Sequence, residues 1–193
     1  MQDLEPFHRW RDYYVASEDE FSPFFEQEYS EFTYTNKIYN YYIHPQWDDF
    51  GSETMYIKVL FVDYEESYAI FELIGEWNDA IGNDIMFLKR DLLDVMMEKD
   101  IFKFIFIAEN VLNFHASDDS YYEELWDDVC DENGWVAILN TPEHVTREMQ
   151  QAQIQHFVNL GGVFEEVNWR PHKPERLFAA VDALVNGVVK RVG

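Results

Sequence analysis

The chain has 193 residues and a formal net charge of −24, from 14 lysines and arginines against 38 aspartates and glutamates. This length suits one sizeable core rather than two domains, and no apolar run approaches the roughly 18 residues of a membrane span. Nucleic acids and anionic membranes bind clustered basic side chains, so the acidic balance predicts that neither is a partner.

The first residues and the single cysteine indicate the cellular compartment of the protein. Residues 1–14 contain no basic region followed by an apolar core, which argues against a signal peptide. Cys130 is the single cysteine and cannot form an internal disulfide. We therefore predict a cytoplasmic protein in which Cys130 is a buried, unreactive thiol.

Residues 1–54 differ in composition from the rest of the chain. They hold 15 aromatic side chains and few aliphatic ones, whereas disordered tails are poor in aromatics. We predict a wrapping extension that covers the main domain, residues 55–193, or a second subunit, which leaves a homodimer open. An aromatic ligand cleft is the alternative use of these rings.

The main domain opens with two strand candidates, residues 56–64 and 68–77. The short polar segment between them, residues 65–67, predicts a β-hairpin. Asn78 and Asp79 then offer a helix cap, and an amphipathic helix follows. Its apolar positions recur at steps of three and four residues: Ile81, Ile85, Leu88, Leu92, Val95 and Met96.

Strands and helices alternate over the rest of the chain. The predicted elements are a central strand at 101–109, a second helix at 119–132, a strand at 135–139, a third helix ending at 161–162, a short edge strand at 163–169 and a last helix from Pro174. The inner face of the second helix is predicted to hold Tyr122, Leu125, Trp126 and Val129. This order predicts an α/β fold with a mixed four- to five-stranded sheet that opens with a β-hairpin and carries its helices mainly on one face.

Four stretches of the main domain carry a resemblance to a known family. The segments LIGEWNDAIGNDI, FIFIAENVLNFHASDDS, WVAILNTPEHV and FEEVNWRPHKPERLFAAVDAL follow one another in the order and spacing of its strand-to-helix passages. From about Tyr56 to Asn186 the chain resembles the STAS domain, the fold of anti-sigma-factor antagonists and of the cytoplasmic tails of sulphate transporters. The resemblance implies a STAS-like fold and a regulatory surface at the start of the second helix. The chain departs from the family where no glycine follows the serines, so Ser117 and Ser120 compete for the position of the phosphorylated serine.

A polar cluster follows the central strand directly. It consists of His115, Ser117, Asp118, Asp119 and Ser120, and Ser120 with Glu123 has the spacing of a capping box. In open α/β sheets ligands and partners are usually met at the carboxyl ends of the strands. We predict that these residues are the binding surface of a non-enzymatic regulatory domain that uses no cofactor. The acidic surface would steer a basic protein partner.

The alternative is an enzyme or a cation-binding protein. Imidazole and carboxylate groups are good ligands for divalent cations and good proton carriers. The candidate set for such a site is His44, Asp48, Glu109, His115 and Asp119. This alternative requires the five side chains to converge within a few ångströms in the folded chain.

Overall fold

The computed structural model describes residues 4–30 and 32–192, with side chains as far as Gly187. Two short strands, β1 (Lys37–Ile38) and β2 (Tyr41–Tyr42), pair as a small antiparallel hairpin. The main sheet within this range has four strands: β3 (Met55–Asp63), β4 (Tyr68–Asn78), β5 (Lys103–His115) and β6 (Trp135–Leu139).

The main sheet is mixed. Strands β3 and β4 run antiparallel, and β4, β5 and β6 run parallel, in the spatial order β3–β4–β5–β6. Most residues of β4 and β6 are buried on both faces of the sheet, as strands covered from two sides require. These observations confirm the predicted α/β fold with its opening hairpin.

The helices lie between and after the strands. The first is continuous over residues 84–97 and consists of α1 (Asp84–Phe87), a π-helical stretch (Leu88–Leu93) and α2 (Asp94–Met97); we call it the π-containing helix. The others are α3 (Ser120–Asp131), α4 (Glu143–Gln151) and α5 (Pro174–Val192). Short 3-10 turns occur at Ala16–Glu18, Ile154–His156 and Gly162–Phe164. Over the part of the chain that is described, no helix combines the length and the apolar character that crossing a bilayer needs.

The main sheet separates two apolar layers. Alternate residues of β5 point to opposite faces, so Phe104 and Phe106 join one layer whereas Ile105 and Ile107 join the other. The first layer contains the π-containing helix, α3 and α4, and the second contains α5 together with Trp10. The helices therefore lie mainly on one face, as the sequence predicts.

The aromatic-rich N-terminal segment packs onto the main sheet at several places. Trp10 belongs to the layer with α5, and Phe50 belongs to the layer with the other helices. A third apolar cluster joins the segment to β3 and β4 and consists of Ile38, Ile43, Trp47, Tyr56 and Ile74. The division into an extension at 1–54 and a domain at 55–193 stays a prediction.

Strand β5 continues to His115, beyond its predicted end at Glu109. The pairing of β4 with β5 contains two register shifts, and such irregularities bend a strand without ending it. Gly75 lies at one of them, with φ of 122° and the Thr54 carbonyl oxygen only 2.1 Å from where a Cβ would stand. Asn110, Asn113 and His115 therefore belong to the strand, where the sequence predicted a loop.

Two predictions for the last third of the chain are wrong. Helix α4 ends at Gln151 rather than near Gly161, and residues 163–169 form no strand. The parallel bridge beside β6 is made instead by Asn159, opposite Ala137. The Asn140 side chain accepts the N–H of Val167 and donates to the Val167 carbonyl oxygen. These backbone groups are therefore satisfied without a neighbouring strand.

Candidate interaction site

The predicted partner-binding residues form one exposed run at the carboxyl end of the central strand. All six residues from 115 to 120 are exposed, and they join β5 to α3. The run is fixed at its start, because the carbonyl oxygen of His115 accepts the N–H groups of Asp79 and Ala80, at 2.9 and 3.1 Å. His115 is the last residue of β5 and pairs with Asn78 on β4. The structure thus brings the five predicted residues together on one surface.

The start of α3 is organised by Asp118. Its carboxylate accepts the backbone N–H of Ser120 at 3.2 Å and also the Ser120 hydroxyl. These hydrogen bonds lower the pKa of the Asp118 carboxyl. Asp119 occupies the cap position without a side-chain cap bond, so the predicted capping box of Ser120 and Glu123 is wrong. The hydroxyl of Ser120 is already engaged within the run.

Three exposed apolar side chains lie on the elements that adjoin this run. Ile81 is 90% exposed, Leu112 is 38% exposed and Trp126 is 43% exposed. Ile81 lies in the turn whose Ala80 N–H reaches His115, Leu112 lies on β5, and Trp126 lies on α3. We call residues 115–120 together with these three side chains the α3 surface.

The sequence placed two of these apolar residues in the core. Ile81 is not helical, because Asn78 accepts the N–H of Ile81 through its side chain and that of Gly82 through its carbonyl, and the helix begins at Asp84. Trp126 is exposed because Tyr122, Leu125 and Val129 alone make the buried face of α3. Both residues fit a helical apolar pattern, which does not show where a helix begins or how wide its buried face is.

Cys130 is the third residue of this region that the sequence misplaced. It is exposed on α3 rather than buried. Partial burial and the neighbouring carboxylates of Asp127 and Asp131 raise the pKa of its thiol. A raised pKa reduces the thiolate fraction, so the structure keeps Cys130 weakly nucleophilic although it meets solvent.

A buried hydrogen-bond network lies beneath the α3 surface. One oxygen of the Asp79 carboxylate accepts the indole N–H of Trp77 at 3.0 Å and the backbone N–H of Ile85 at 2.9 Å. The other accepts the Tyr122 hydroxyl at 2.7 Å. Burial raises the pKa of Asp79 to about 6, although these hydrogen bonds oppose the rise. The network ties the first turn of α3 to the start of the π-containing helix, so the surface above it is held on a rigid base.

Two neighbouring basic side chains of the π-containing helix, Lys89 and Arg90, approach α3, and the Lys89 ammonium contacts Glu124 at 3.1 Å. The guanidinium of Arg90, on the π-containing helix, lies 5.4 Å from the ring centroid of Tyr121. Along the sequence the nearest basic residue to Ser120 is Lys103, at the far end of β5. The α3 surface therefore has basic neighbours that are distant in the sequence and close in the folded chain.

The five residues of the cation alternative do not come together. Asp48 contacts Lys58 at 3.0 Å and Tyr29 at 2.5 Å, close to the N-terminal segment. Glu109 binds three other side chains on the far side of the sheet from α3: Arg170 at 2.6 Å, Trp169 at 2.8 Å and Asn140 at 2.9 Å. Among the residues that the structure places, no group of three or more His, Cys, Asp and Glu side chains could hold a metal ion. The five side chains therefore do not form one cluster, which is what this alternative requires.

A second buried carboxylate lies in β4. Glu72 is 3% exposed and accepts the backbone N–H of Phe7 at 2.8 Å. Burial raises the pKa of Glu72 to about 7, and the nearby charge of Glu109 adds to the rise whereas Arg170 opposes it. Glu72 thus attaches the N-terminal segment to the centre of the sheet. The sequence analysis missed this contact, because a single glutamate in an apolar strand carries no local signal of its partner.

Comparison with known proteins finds a distant structural similarity. No protein-family model matches it, and no curated protein matches it significantly. One solved structure from Thermotoga maritima, described as a "putative anti-sigma factor antagonist", is similar with 14% identity and a TM-score of 0.40. The match covers 55% of this chain and 86% of that one. At this similarity no family is assigned, and the fold rests on the sheet topology described above.

Proposed function

We propose that the chain is a non-enzymatic, STAS-like regulatory domain of the cytoplasm that binds a protein partner through the α3 surface. The observation that carries this proposal is the exposed run at 115–120, which is joined to elements with three exposed apolar side chains and to a buried hydrogen-bond network. Interfaces commonly combine a few apolar anchors with a polar rim. Trp126 has the size and exposure of such an anchor, and the acidic residues of the run would form the rim.

The charge around the surface supports a basic partner. Asp118, Asp119 and Glu123 are all exposed at the start of α3, in a chain of net charge −24. Complementary charge raises the association rate, and this effect falls as salt screens it. A basic partner would therefore associate fastest at low ionic strength, whereas contact with Trp126 would be less sensitive to salt.

The same charges argue against a phosphate switch at this surface. The Ser120 hydroxyl is bonded to Asp118, and a phosphate there would add about −1.5 to −2 units of charge next to two aspartates. Two basic side chains lie nearby, but Arg90 lies over the Tyr121 ring and Lys89 is already bound to three carboxylates. We propose that the aspartates keep the surface permanently acidic.

Substitutions in the run test this proposal. We expect Asp119→Lys to abolish partner capture from a lysate of the native host, because it reverses a charge in the centre of the surface. Ser120→Ala should leave capture largely intact, since its hydroxyl serves only the turn. The matched control is Glu65→Lys, an equal charge reversal at the exposed turn between β3 and β4. Binding is compared by quantitative mass spectrometry of the captured proteins.

Two outcomes would contradict the proposal. If Asp119→Lys captures the same protein as the wild type does, the surface is not the binding site. If intact-mass analysis of protein from the native host shows a stoichiometric phosphate on Ser117 or Ser120, and the alanine variants lose binding, the surface is a phosphate switch rather than a permanently acidic one.

A further inference from the structure

A cavity of about 140 Å³ lies between the N-terminal segment and β3. Its walls include the rings of Phe7, Trp10, Tyr14 and Tyr29, and its floor includes Leu60 of β3. The cavity shares no residue with the α3 surface. Concave, largely apolar sites with a few polar groups are the usual form of small-molecule sites.

The charged residues that line this cavity are both basic. They are Arg11 and Lys58, and no acidic side chain among the described residues lines it. In a chain with 38 acidic and 14 basic residues, a cavity with this lining is a local exception. The lining therefore favours an anionic ligand over a neutral or cationic one.

Lys58 is only partly satisfied by the protein. Its ammonium lies 3.0 Å from the Asp48 carboxylate oxygen Oδ2 and 3.8 Å from the ring centroid of Tyr29. Asp48 Oδ2 is buried, and apart from Lys58 it has no hydrogen-bond partner within the described chain. An ammonium carries three N–H donors, so Lys58 has donors to offer to a second anion.

Burial also leaves this ammonium short of solvation. Its side chain is 11% exposed, and burial lowers the pKa of Lys58 although Asp48 opposes the shift. The Arg11 side chain lines the same cavity and is 44% exposed, and its guanidinium contacts Glu5 at 3.1 Å. A guanidinium has five donors, which leaves several free for a ligand carboxylate.

We propose that this cavity binds a small aromatic monocarboxylate. The ring of the ligand packs among Phe7, Trp10 and Tyr14, and its carboxylate accepts hydrogen bonds from Lys58 and Arg11. The volume limits the ligand to about one ring, since an apolar cavity of about 150 Å³ is known to hold benzene. Charge-assisted hydrogen bonds to the two cations select the carboxylate.

Benzoate and benzamide test this proposal as a charged and an uncharged ligand of nearly equal shape. We expect benzoate to bind the full-length protein at least about ten-fold more tightly than benzamide does, which corresponds to about 1.4 kcal/mol. Binding is measured by isothermal titration calorimetry and by tryptophan fluorescence, with Trp10→Phe used to identify the ring that responds. Arg11→Gln should weaken benzoate binding and leave benzamide binding unchanged.

The matched control is Arg9→Gln, which removes an exposed arginine that does not line the cavity. Equal effects of Arg9→Gln and Arg11→Gln would show that net charge alone attracts the anion and would overturn the proposal. If benzamide binds as tightly as benzoate, the two cations do not recognise the carboxylate, and the proposal is wrong. Failure of benzoate to bind at millimolar concentration would exclude the site itself.

Discussion

At the scale of single residues, two buried carboxylates fix contacts between distant parts of the chain. Glu72 lies in the apolar strand β4, and its carboxylate accepts the N–H of Phe7. Asp79 follows that strand and binds Trp77, Ile85 and Tyr122. Both carboxylates are nearly fully buried, and burial raises the pKa of each.

Replacement of Glu72 by glutamine should change how stability depends on pH. The pKa of Glu72 is raised from 4.5 to about 7 in the folded chain, so the folded state favours the protonated form. The resulting stabilisation of the folded state is fully present below the pKa that Glu72 has in the unfolded chain. It is lost as the pH rises through the pKa that Glu72 has in the folded chain. Relative to Glu72→Gln, the wild type should lose about 2 kcal/mol of unfolding free energy between about pH 5.5 and about pH 8.

Urea denaturation of both proteins at the two pH values measures this difference. Glu65→Gln, on the exposed turn between β3 and β4, is the control for the loss of one carboxylate. Parallel pH profiles for the wild type and Glu72→Gln would show that the carboxyl is not held in its protonated form near neutral pH.

At the scale of elements, the π-containing helix is joined to α3 by one lysine. The side chain of Lys89 is 2% exposed, and its ammonium contacts Asp94 at 2.9 Å, Glu124 at 3.1 Å and Asp128 at 2.8 Å. Burial alone would lower the pKa of Lys89, but the three carboxylates together raise it above its usual value. The ammonium of Lys89 thus joins a carboxylate of the π-containing helix to two carboxylates of α3.

Removal of this lysine should destabilise the pair of helices. We expect Lys89→Met to lower the unfolding free energy by about 2–3 kcal/mol, because three carboxylates are left close together without a counter-charge. The carboxylates are half-exposed, so the cost stays below that of a fully buried pair. Lys99→Met removes an exposed lysine and should change stability by less than about 0.5 kcal/mol. If Lys89→Met and Lys99→Met lower the unfolding free energy equally in urea denaturation, Lys89 does not stabilise the pair of helices.

Sequence patterns predicted the elements well where local rules govern them. The hairpin of β3 and β4 and the start of α5 at Pro174 follow from turn and cap residues that act over a few positions. The extension of β5 to His115 depends on its pairing with β4, which no local pattern shows. Residues 163–169 read as a strand, but Asn140 satisfies the backbone of Val167 from a distant position.

The five polar residues lie together at the surface, as the sequence predicted, and their role in binding stays a prediction. The sequence misplaced the residues around them. The five polar residues follow a buried strand, and the carboxyl end of that strand carries them to the surface together. The exposure of Trp126 and the approach of Arg90 to Tyr121 depend on how two helices pack. The spacing of residues along one helix predicts neither the exposure of Trp126 nor the contact of Arg90 with Tyr121.

At the scale of the whole molecule, the N-terminal segment is part of the packed structure. Trp10 packs edge-on against Trp169 at 5.6 Å between ring centroids, and its indole N–H donates to the His172 carbonyl oxygen at 3.0 Å. Trp47 is 1% exposed and donates to the Leu4 carbonyl oxygen at 2.8 Å. The contacts of Trp10 join the first 50 residues to the last third of the chain. The cluster of Trp47 with Tyr56 and Ile74 joins them to β3 and β4.

Removal of residues 1–50 should therefore leave an insoluble protein or lower the melting temperature by more than about 10 °C. One buried large side chain contributes about 2–3 kcal/mol, and 1 kcal/mol shifts the melting temperature of a chain of this size by about 2–4 °C. Calorimetry or circular dichroism measures the change. A truncated protein that stays monomeric with an unchanged melting temperature would show that the segment is dispensable.

A matched pair of single substitutions tests the same packing without truncation. Trp47→Ala should destabilise the full chain by about 3–5 kcal/mol, because it removes a buried ring from the cluster with Ile43 and Tyr56. Phe32→Ala should have almost no effect, since Phe32 is 89% exposed. Similar losses for both variants would contradict the packing described here.

Site-specific photo-crosslinking tests the central claim, that the α3 surface binds a protein partner, most directly. A benzophenone amino acid is placed at exposed Ala116 in one protein and at Glu65 in another; the pairing of β4 with β5 puts these positions at opposite ends of the sheet. After irradiation in the native host, position 116 should yield a crosslink to one basic protein that Asp119→Lys eliminates, and position 65 should yield none to it. A crosslink to the same protein from position 65 alone, or one from position 116 that survives Asp119→Lys, would contradict the account.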